Sequence, residues 1–234
     1  MTGTLYGIGL GPGDPELMTL KAHRLISGAS VVAYPAPDTG ESFARSIAAE
    51  IIPEDAVEIA IKIPMRSERF PAQSVYDAAS ASIRGHLDAD RDVVVLCEGD
   101  PFFYGSFMYL FHRLAGAARI EVVPGVTSLT ACAASALRPL CARNEVLTIL
   151  PGTLADPALE DALQGGTAFA IMKVGRHLAR LRATLDRLGL TERASYVSHA
   201  SLPRQVVLPL SNAPASAPYF SMILIPGADP YAVS

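Results

Sequence analysis

Cysteine is scarce and without pattern in this chain. Cys97, Cys132 and Cys141 are odd in number and form no CxxC pair, which excludes a disulfide framework and a cysteine-rich zinc site. They read as reduced thiols of a cytoplasmic protein. Cys97 ends a hydrophobic strand pattern and Cys132 sits in a run of small residues, so neither reads as a nucleophile. Long apolar runs are missing too: none reaches the roughly 18 residues a membrane span needs, so no membrane partner is expected. The opening residues, MTGTLYGIGLGPGD, lack a charged region ahead of a hydrophobic stretch and cleavage site, so no secretory signal is expected. The histidines at 23, 86, 112, 177 and 199 make no HExxH or paired spacing, and no metal site is expected. G-x-S-x-G and G-x-x-x-x-G-K-[ST] are absent as well. Nor is there a strong positive charge: 19 basic and 23 acidic residues give a net −4, which argues against a nucleic-acid partner.

What is present is a folded composition. The 234 residues are 50% hydrophobic, with 18 prolines and 18 glycines spread without low complexity, enough for one large or two small domains. Strand patterns at 4–10, 30–34, 56–60 and 92–97 alternate with helical patterns at 15–27, 41–51, 74–87 and 101–114, which predicts a mainly parallel sheet covered by helices. Gly28 stands where the first helix needs a C-terminal cap. The stretch AGAAR, 115–119, reads as a hinge. Strands follow at 119–123, 146–150 and 167–173, with helices after Pro124-Gly125, after Asp156-Pro157 and over 176–188. The last strands, 194–199, 205–210 and 219–225, have only short loops between them and predict antiparallel pairing. The expectation is an α/β protein of two α/β domains, 1–116 and 117–234, the first with a mainly parallel and the second with a mixed sheet. The cleft between them is the default ligand site.

Four motifs bear on chemistry. In GIGLGPGDPELMTLKA, Gly7 to Ala22, close glycines allow a backbone to approach a ligand. Yet no G-x-G-x-x-G occurs, and Pro12 has no amide for a phosphate. The plain alternative is a tight turn before a capped helix. In CEGDPFFYG, Cys97 to Gly105, Asp100-Pro101 reads as a helix start, Asp as N-cap and Pro at the first helical position. Asp14-Pro15, Asp156-Pro157 and Asp229-Pro230 repeat that pair, so the pair alone is punctuation. Phe103, Phe107, Leu110 and Leu114 share one helical face and read as core. Phe102 and Tyr104 fall off that stripe, and Gly99 leaves room before them for an adenine or methionyl group. PGVTSLTACAAS, Pro124 to Ser135, is either an ordinary cap on a closely packed helix or a polar contact through Thr127 and Ser128. Basic residues, Lys62, Arg66, Arg69, Arg138, Arg143, Arg176, His177 and Arg204, are individually surface charges, but around a cleft they suit a polyanion.

GIGLGPGDPELMTLKA, EGDPFFYG and PGVTS, in this order, resemble the signatures of the tetrapyrrole (corrin and porphyrin) methyltransferases. The likeness covers essentially the whole chain, including MKVGRHL (Met172 to Leu178) and HASLPRQ (His199 to Gln205). It is nearest to the branch acting at C-20 of precorrin-2, whose middle motif has this aromatic form. The resemblance implies S-adenosylmethionine as methyl donor, held in the interdomain cleft, a homodimer, and a polycarboxylate tetrapyrrole, precorrin-2, as substrate. It implies donor contacts at Gly99, Asp100, Phe103, Thr127 and Ser128, with Met172, Ala200 and Ser201 as further candidates. Phe102 and Tyr104 are candidate walls of that site. Gly9, Gly11, Pro12 and Gly13 border the tetrapyrrole, and Arg66 is a candidate for its carboxylates. A base, if one removes the proton from the methylated carbon, is open between Tyr104, His199 and water. The alternatives are a cobalt-containing substrate, a relative methylating ribosomal RNA or a protein histidine, and a non-catalytic binding protein.

Overall fold

Short strands alternating with helices pair in parallel in the first half of the chain, the middle ones buried and the outer ones, VEIAIKI and RIEVV, partly exposed. The computed structural model describes residues 2–63 and 71–227, and the chain divides into two compact units, Met1–Thr127 and Ser128–Ser234. In the first unit the elements run β1 (Thr4–Gly9), α1 (Leu20–Ser27), β2 (Val31–Pro37), α2 (Phe43–Ile47), β3 (Val57–Ile63), α3 (Pro71–Asp88), β4 (Val93–Cys97), α4 (Phe107–Leu114) and β5 (Arg119–Val123). The strands form one sheet in the order β3-β2-β4-β1-β5, parallel throughout.

Central strand β4, VVVLC, is buried along its whole length. Its residues alternate between two apolar layers, as the pleat requires. Val93, Val95 and Cys97 pack with Ile83 and Leu87 of α3 and Phe107, Leu110 and Leu114 of α4. Val94 and Leu96 pack with Ala22 and Ile26 of α1 and Ala44 and Ile47 of α2. The helix after β1 thus covers one face and the helix after β4 the other, although β1 and β4 are neighbours. Chain departing to opposite faces from adjacent parallel strands makes a topological switch point, where ligands of open α/β sheets gather.

Local differences from the sequence reading have local causes. The expected helix over 15–27 is split: Asp14 caps a short 3-10 turn, Pro15–Leu17, and Met18 is extended. Thr19 then caps α1 by accepting the Ala22 amide at 3.1 Å. Gly28 does cap α1, but at φ −103°, without the left-handed turn. The helix expected from Pro101 starts at Phe107. Asp100 accepts the Phe102 amide at 2.9 Å, and Tyr104 is left-handed at φ 57°, which a right-handed helix cannot contain. Asp100 is therefore not the N-cap of α4. The first unit also extends past 116, because β5 pairs with β1 from Thr4↔Arg119 to Ile8↔Val123. The stretch 115–119 contains the α4–β5 turn, with Gly116 at φ 84°, inside the first unit.

The second unit contains α5 (Ser128–Ser135), β6 (Leu147–Pro151), α6 (Asp156–Gln164), β7 (Ala168–Met172), α7 (Leu178–Arg187), β8 (Ser195–Ser198), β9 (Val206–Pro209) and β10 (Ser221–Ile225). Its sheet order is β6-β7-β10-β8-β9. β6 and β7 are parallel, whereas β10 is antiparallel to β7 and β8 and β9 to β8. This is the expected mixed sheet. Phe169, Ile171, Tyr196, Ile223 and Ile225 form its core with Leu159 and Leu163 of α6 and Leu178, Leu181 and Leu185 of α7. Because β7 and β8 both oppose β10, their carboxyl ends lie at the same end of the sheet. Asp156 is the first residue of α6, with Ala155 at the cap position. Asp229-Pro230 lies outside the described residues.

Among the described residues, no helix is long and apolar enough to cross a membrane. Cys97 and Cys132 are buried and Cys141 is exposed. Burial pushes the Cys97 thiol up, and the Cys132 thiol up to about 12. A thiol reagent such as Ellman's should therefore titrate one thiol rapidly in the native chain and all three in denaturant. Rapid native reaction of a second thiol would contradict this packing.

Candidate functional site

Backbone, not side chain, builds the switch point of the first unit. Beyond β1 and β4 the two chains stay joined: Leu10 N–H donates to Cys97 C=O at 2.9 Å, and Gly11 and Gly99 exchange bonds at 3.2 and 2.7 Å. Gly125, just beyond β5, packs onto the same place. A Cβ on Gly125 would lie 2.1 Å from the Gly99 carbonyl oxygen, and one on Gly9 2.5 Å from the Gly125 nitrogen. Only residues without a side chain allow these loops to touch. Asp100 clamps the assembly, its Oδ1 accepting from Phe102 N–H at 2.9 Å and its Oδ2 from Gly125 N–H at 3.0 Å. Both oxygens of this carboxylate are thus engaged by backbone amides, which fixes its direction.

The loop after β4 opens outward from this base. Gly99 has φ +65° and faces open space where a Cβ would stand. Phe102 and Tyr104 are 47% and 43% exposed, while Phe103 is half-buried. Phe102 leans edge-on against Phe111 at 5.2 Å, and Phe103 against Tyr104 at 5.2 Å. Phe107 is fixed at 1% exposure over Gly7, where a Cβ would be 2.5 Å from its ring. Phe103 therefore leaves the core stripe that Phe107, Leu110 and Leu114 retain. Glu98 faces the start of α2: burial raises its pKa, and the Ala44 amide donating to it acts in the opposite direction.

In the second unit the candidate residues gather at the shared carboxyl end of β7 and β8. Met172 ends β7, and its carbonyl accepts the Gly152 amide at 2.6 Å. Lys173, His199 and Ser201 follow their strands with φ of 56°, 50° and 68°. Ala200 is buried between the last two. His199 donates its amide to the Phe220 carbonyl at 2.9 Å, and its ring meets Phe220 at 6.4 Å. Burial, and then the Arg204 guanidinium, hold its imidazole below the usual range. Gln205 Oε1 accepts from Ser201 N–H at 2.8 Å and from the Ser135 hydroxyl at 2.7 Å.

The sequence candidates thus fall into two groups. Gly9, Gly11, Pro12, Gly13, Gly99, Asp100, Phe102, Phe103, Tyr104 and Thr127 belong to the first unit, and Ser128, Met172, His199, Ala200 and Ser201 to the second. Arg66 lies outside the described residues. At Gly9 the position a Cβ would take is met by the backbone of Gly125 and Gly99. Gly125 carries the tightest of these contacts and had no role assigned from sequence, although its place in PGVTS was visible. Among the described residues no cluster of three or more His, Cys, Asp or Glu could hold a metal ion.

Comparison with known proteins gives one consistent result. The family model of the tetrapyrrole (corrin/porphyrin) methylases matches residues 4–213. The chain is 42% identical, over 96% of its length, to cobalamin biosynthesis protein CobIJ of Mycobacterium tuberculosis (strain ATCC 25618 / H37Rv), of which it covers 46%. It therefore spans about half the length of that curated relative. It is 38% identical to the precorrin-2 C(20)-methyltransferase of Sinorhizobium sp, covering 96% of each chain. Identity is 31% with the cobalt-precorrin-2 C(20)-methyltransferase of Salmonella typhimurium, covering 96% of this chain and 97% of the other. A solved structure of uroporphyrin-III C-methyl transferase from Thermus thermophilus, complexed with S-adenyl homocysteine, is similar with a TM-score of 0.69 and 27% identity, covering 95% of this chain and 97% of that one.

The glycine contact is testable without any ligand. Gly125→Ala forces a methyl group against the Gly99 carbonyl and should destabilise the chain by about 1–3 kcal/mol, the usual cost of overpacking. Chemical denaturation of the two proteins measures it, and an unchanged midpoint would mean the loops do not meet as described.

Proposed function

The chain belongs to the tetrapyrrole (corrin/porphyrin) methylase family, and on that premise we propose that it transfers the methyl group of S-adenosylmethionine to C-20 of precorrin-2, giving precorrin-3A in cobalamin biosynthesis. The site observation that carries the methyl-transfer reading is the open Gly99 position in the same loop as the exposed Phe102 and Tyr104. A flat adenine and a thioether chain need apolar contact and backbone hydrogen bonds, and the loop after β4, with its open glycine and exposed aromatic rings, offers such a surface. The aromatic faces also suit a sulfonium cation. The residues present therefore fit the donor. Asp100 acts in this reading by tying Phe102 to Gly125 beside Gly99, and Phe103, Thr127, Ser128, Met172, Ala200 and Ser201 complete the donor contacts. Gly11, Pro12 and Gly13, with Arg66, border the tetrapyrrole, while Gly9 secures the loop that carries them. A homodimer remains part of the reading.

The donor supplies an already activated methyl group, so the chain's task is to bind, orient and manage one proton. Of the candidate bases we follow His199, whose imidazole is held below its ordinary range by burial and then by Arg204, which favours the neutral, proton-accepting form. The cobalt-free substrate is favoured over its cobalt counterpart by identity, 38% against 31% at similar coverage.

Two experiments test the reading. Incubation with methyl-labelled donor and either precorrin-2 or cobalt-precorrin-2 should place label at C-20 of the metal-free substrate. Label only in the cobalt form would transfer the assignment to that substrate, and no label in either would remove it. Should His199 be the base, kcat/KM rises with pH through a value below 6.5, the ordinary histidine value. Arg204→Gln, which removes a positive neighbour, should move that limb upward, and His199→Gln should abolish it. A profile unaffected by His199→Gln leaves the proton to Tyr104 or water.

A further inference from the structure

The turn after β8 is held in a conformation that its own residues disfavour. Leu202 N–H donates to the His199 carbonyl at 3.0 Å, closing a four-residue turn. Its third residue, Ser201, has φ 68°, while Ala200 is not left-handed. That is the type II pattern, in which the third position strongly favours glycine. His199, the first residue, is itself left-handed at φ 50°. Serine in that third position is relieved most directly by rotating the Ala200–Ser201 peptide by roughly 180°, which converts type II to type I. The Ser201 N–H opposes this rotation by donating to Gln205 Oε1 at 2.8 Å. The same oxygen accepts the Ser135 hydroxyl of α5 at 2.7 Å, so it is fixed from a second element. The Gln205 backbone is anchored in turn by its N–H donating to the Leu202 carbonyl at 2.9 Å.

We propose that Gln205 is a positioning residue that locks the Ala200–Ser201 peptide, so that the Ala200 carbonyl points away from Gln205 and toward the methyl donor. In a trans peptide, C=O and N–H point in opposite directions, so an N–H fixed on Gln205 fixes the carbonyl on the other side. A flipped peptide would present a donor where the bound molecule meets an acceptor. The proposal rests on the reading that Ala200 and Ser201 present their backbone to S-adenosylmethionine. Gln205 is exposed and belongs to no core cluster, so its loss should act on the turn and leave the fold intact.

The test uses the full chain and S-adenosylhomocysteine, titrated by calorimetry. Gln205→Leu, which cannot accept a hydrogen bond, should weaken binding about tenfold, a 1.4 kcal/mol effect, with an unchanged thermal midpoint. Gln205→Glu keeps the acceptor oxygens and should bind within a few-fold of the unaltered chain. Adding Ser201→Gly to Gln205→Leu should recover most of the loss, because glycine holds positive φ unaided. Hydrogen exchange at the Ser201 amide reads the turn without ligand: slow in the unaltered chain and in Gln205→Glu, fast in Gln205→Leu. Unchanged affinity with a protected Ser201 amide in Gln205→Leu would overturn the proposal. So would a loss that Ser201→Gly leaves unrecovered. If the unaltered chain binds no S-adenosylhomocysteine, the donor-site reading fails and with it the carbonyl's assigned target, while the exchange rates separately support or refute the lock.

Discussion

Contact between main chains, with no side chain interposed, is the constraint on which the first unit's site depends. Gly9 ends β1, and Gly99 and Gly125 lie in the loops beyond β4 and β5, its neighbours on either side in the sheet. A parallel sheet brings such loops to one end, but ordinary residues would hold them apart by the thickness of their side chains. Glycine removes that layer, and Asp100 adds hydrogen bonds to Phe102 and Gly125 that keep the loops joined. The exposed Phe102 and Tyr104 then project from a base that cannot easily spread. A rigid base beneath an open rim orients a substrate without distorting to accept it.

Left-handed non-glycine backbone occurs at seven of the described residues, and four of them, Tyr104, Lys173, His199 and Ser201, lie in loops following strands that end among the candidate site residues. Such conformations persist only where surrounding structure over-determines them. At His199 the restraint is its amide on the Phe220 carbonyl, beside the pairing of Ser198 with Ser221. Glu98 belongs to the same economy of loops: an acid with no place in the chemistry accepts the amide of Ala44 at the start of α2. It joins the end of β4 to the loop beyond its neighbour β2.

The alternation of strand and helix patterns makes the sheet of the first unit legible in sequence, and the helix-free run after 194 does the same for the antiparallel part of the second. Both signals are periodic and long. The boundary between the units is less visible, because whether β5 joins one sheet or the other depends on pairing with β1, five residues that a local pattern cannot assign. Asp100-Pro101 misleads for a similar reason: the dipeptide suits a helix start, but the carboxylate is taken by Phe102 and by Gly125, which is distant in sequence. The glycines of the site are visible as letters. What they are for is not, since a glycine that faces open space (Gly99) and one met by its own protein's backbone (Gly9) look alike until the third dimension is known. Gln205 is harder still, because nothing in its neighbours predicts a side chain that reaches back to Ser201.

Net charge is a poor guide to the partner of such a site. Charges separated by more than a Debye length of about 8 Å are largely screened in physiological salt, so a bound group meets the local charges and not the net −4. In the second unit two histidines lie among such local charges. His177, in the 3-10 turn Gly175–His177 just after β7, is pushed down first by burial and then by Arg180 and Arg176. His199, just after β8, is pushed down by burial and then by Arg204. Arg180 is paired with Asp156 and with the Gly152 carbonyl, so part of its charge is spent within the fold, yet it still contributes to the field at His177. Because β7 and β8 end on the same side of their sheet, Arg176, Arg180 and Arg204 act on the two imidazoles at one end of the second unit, in the same direction as burial and after it.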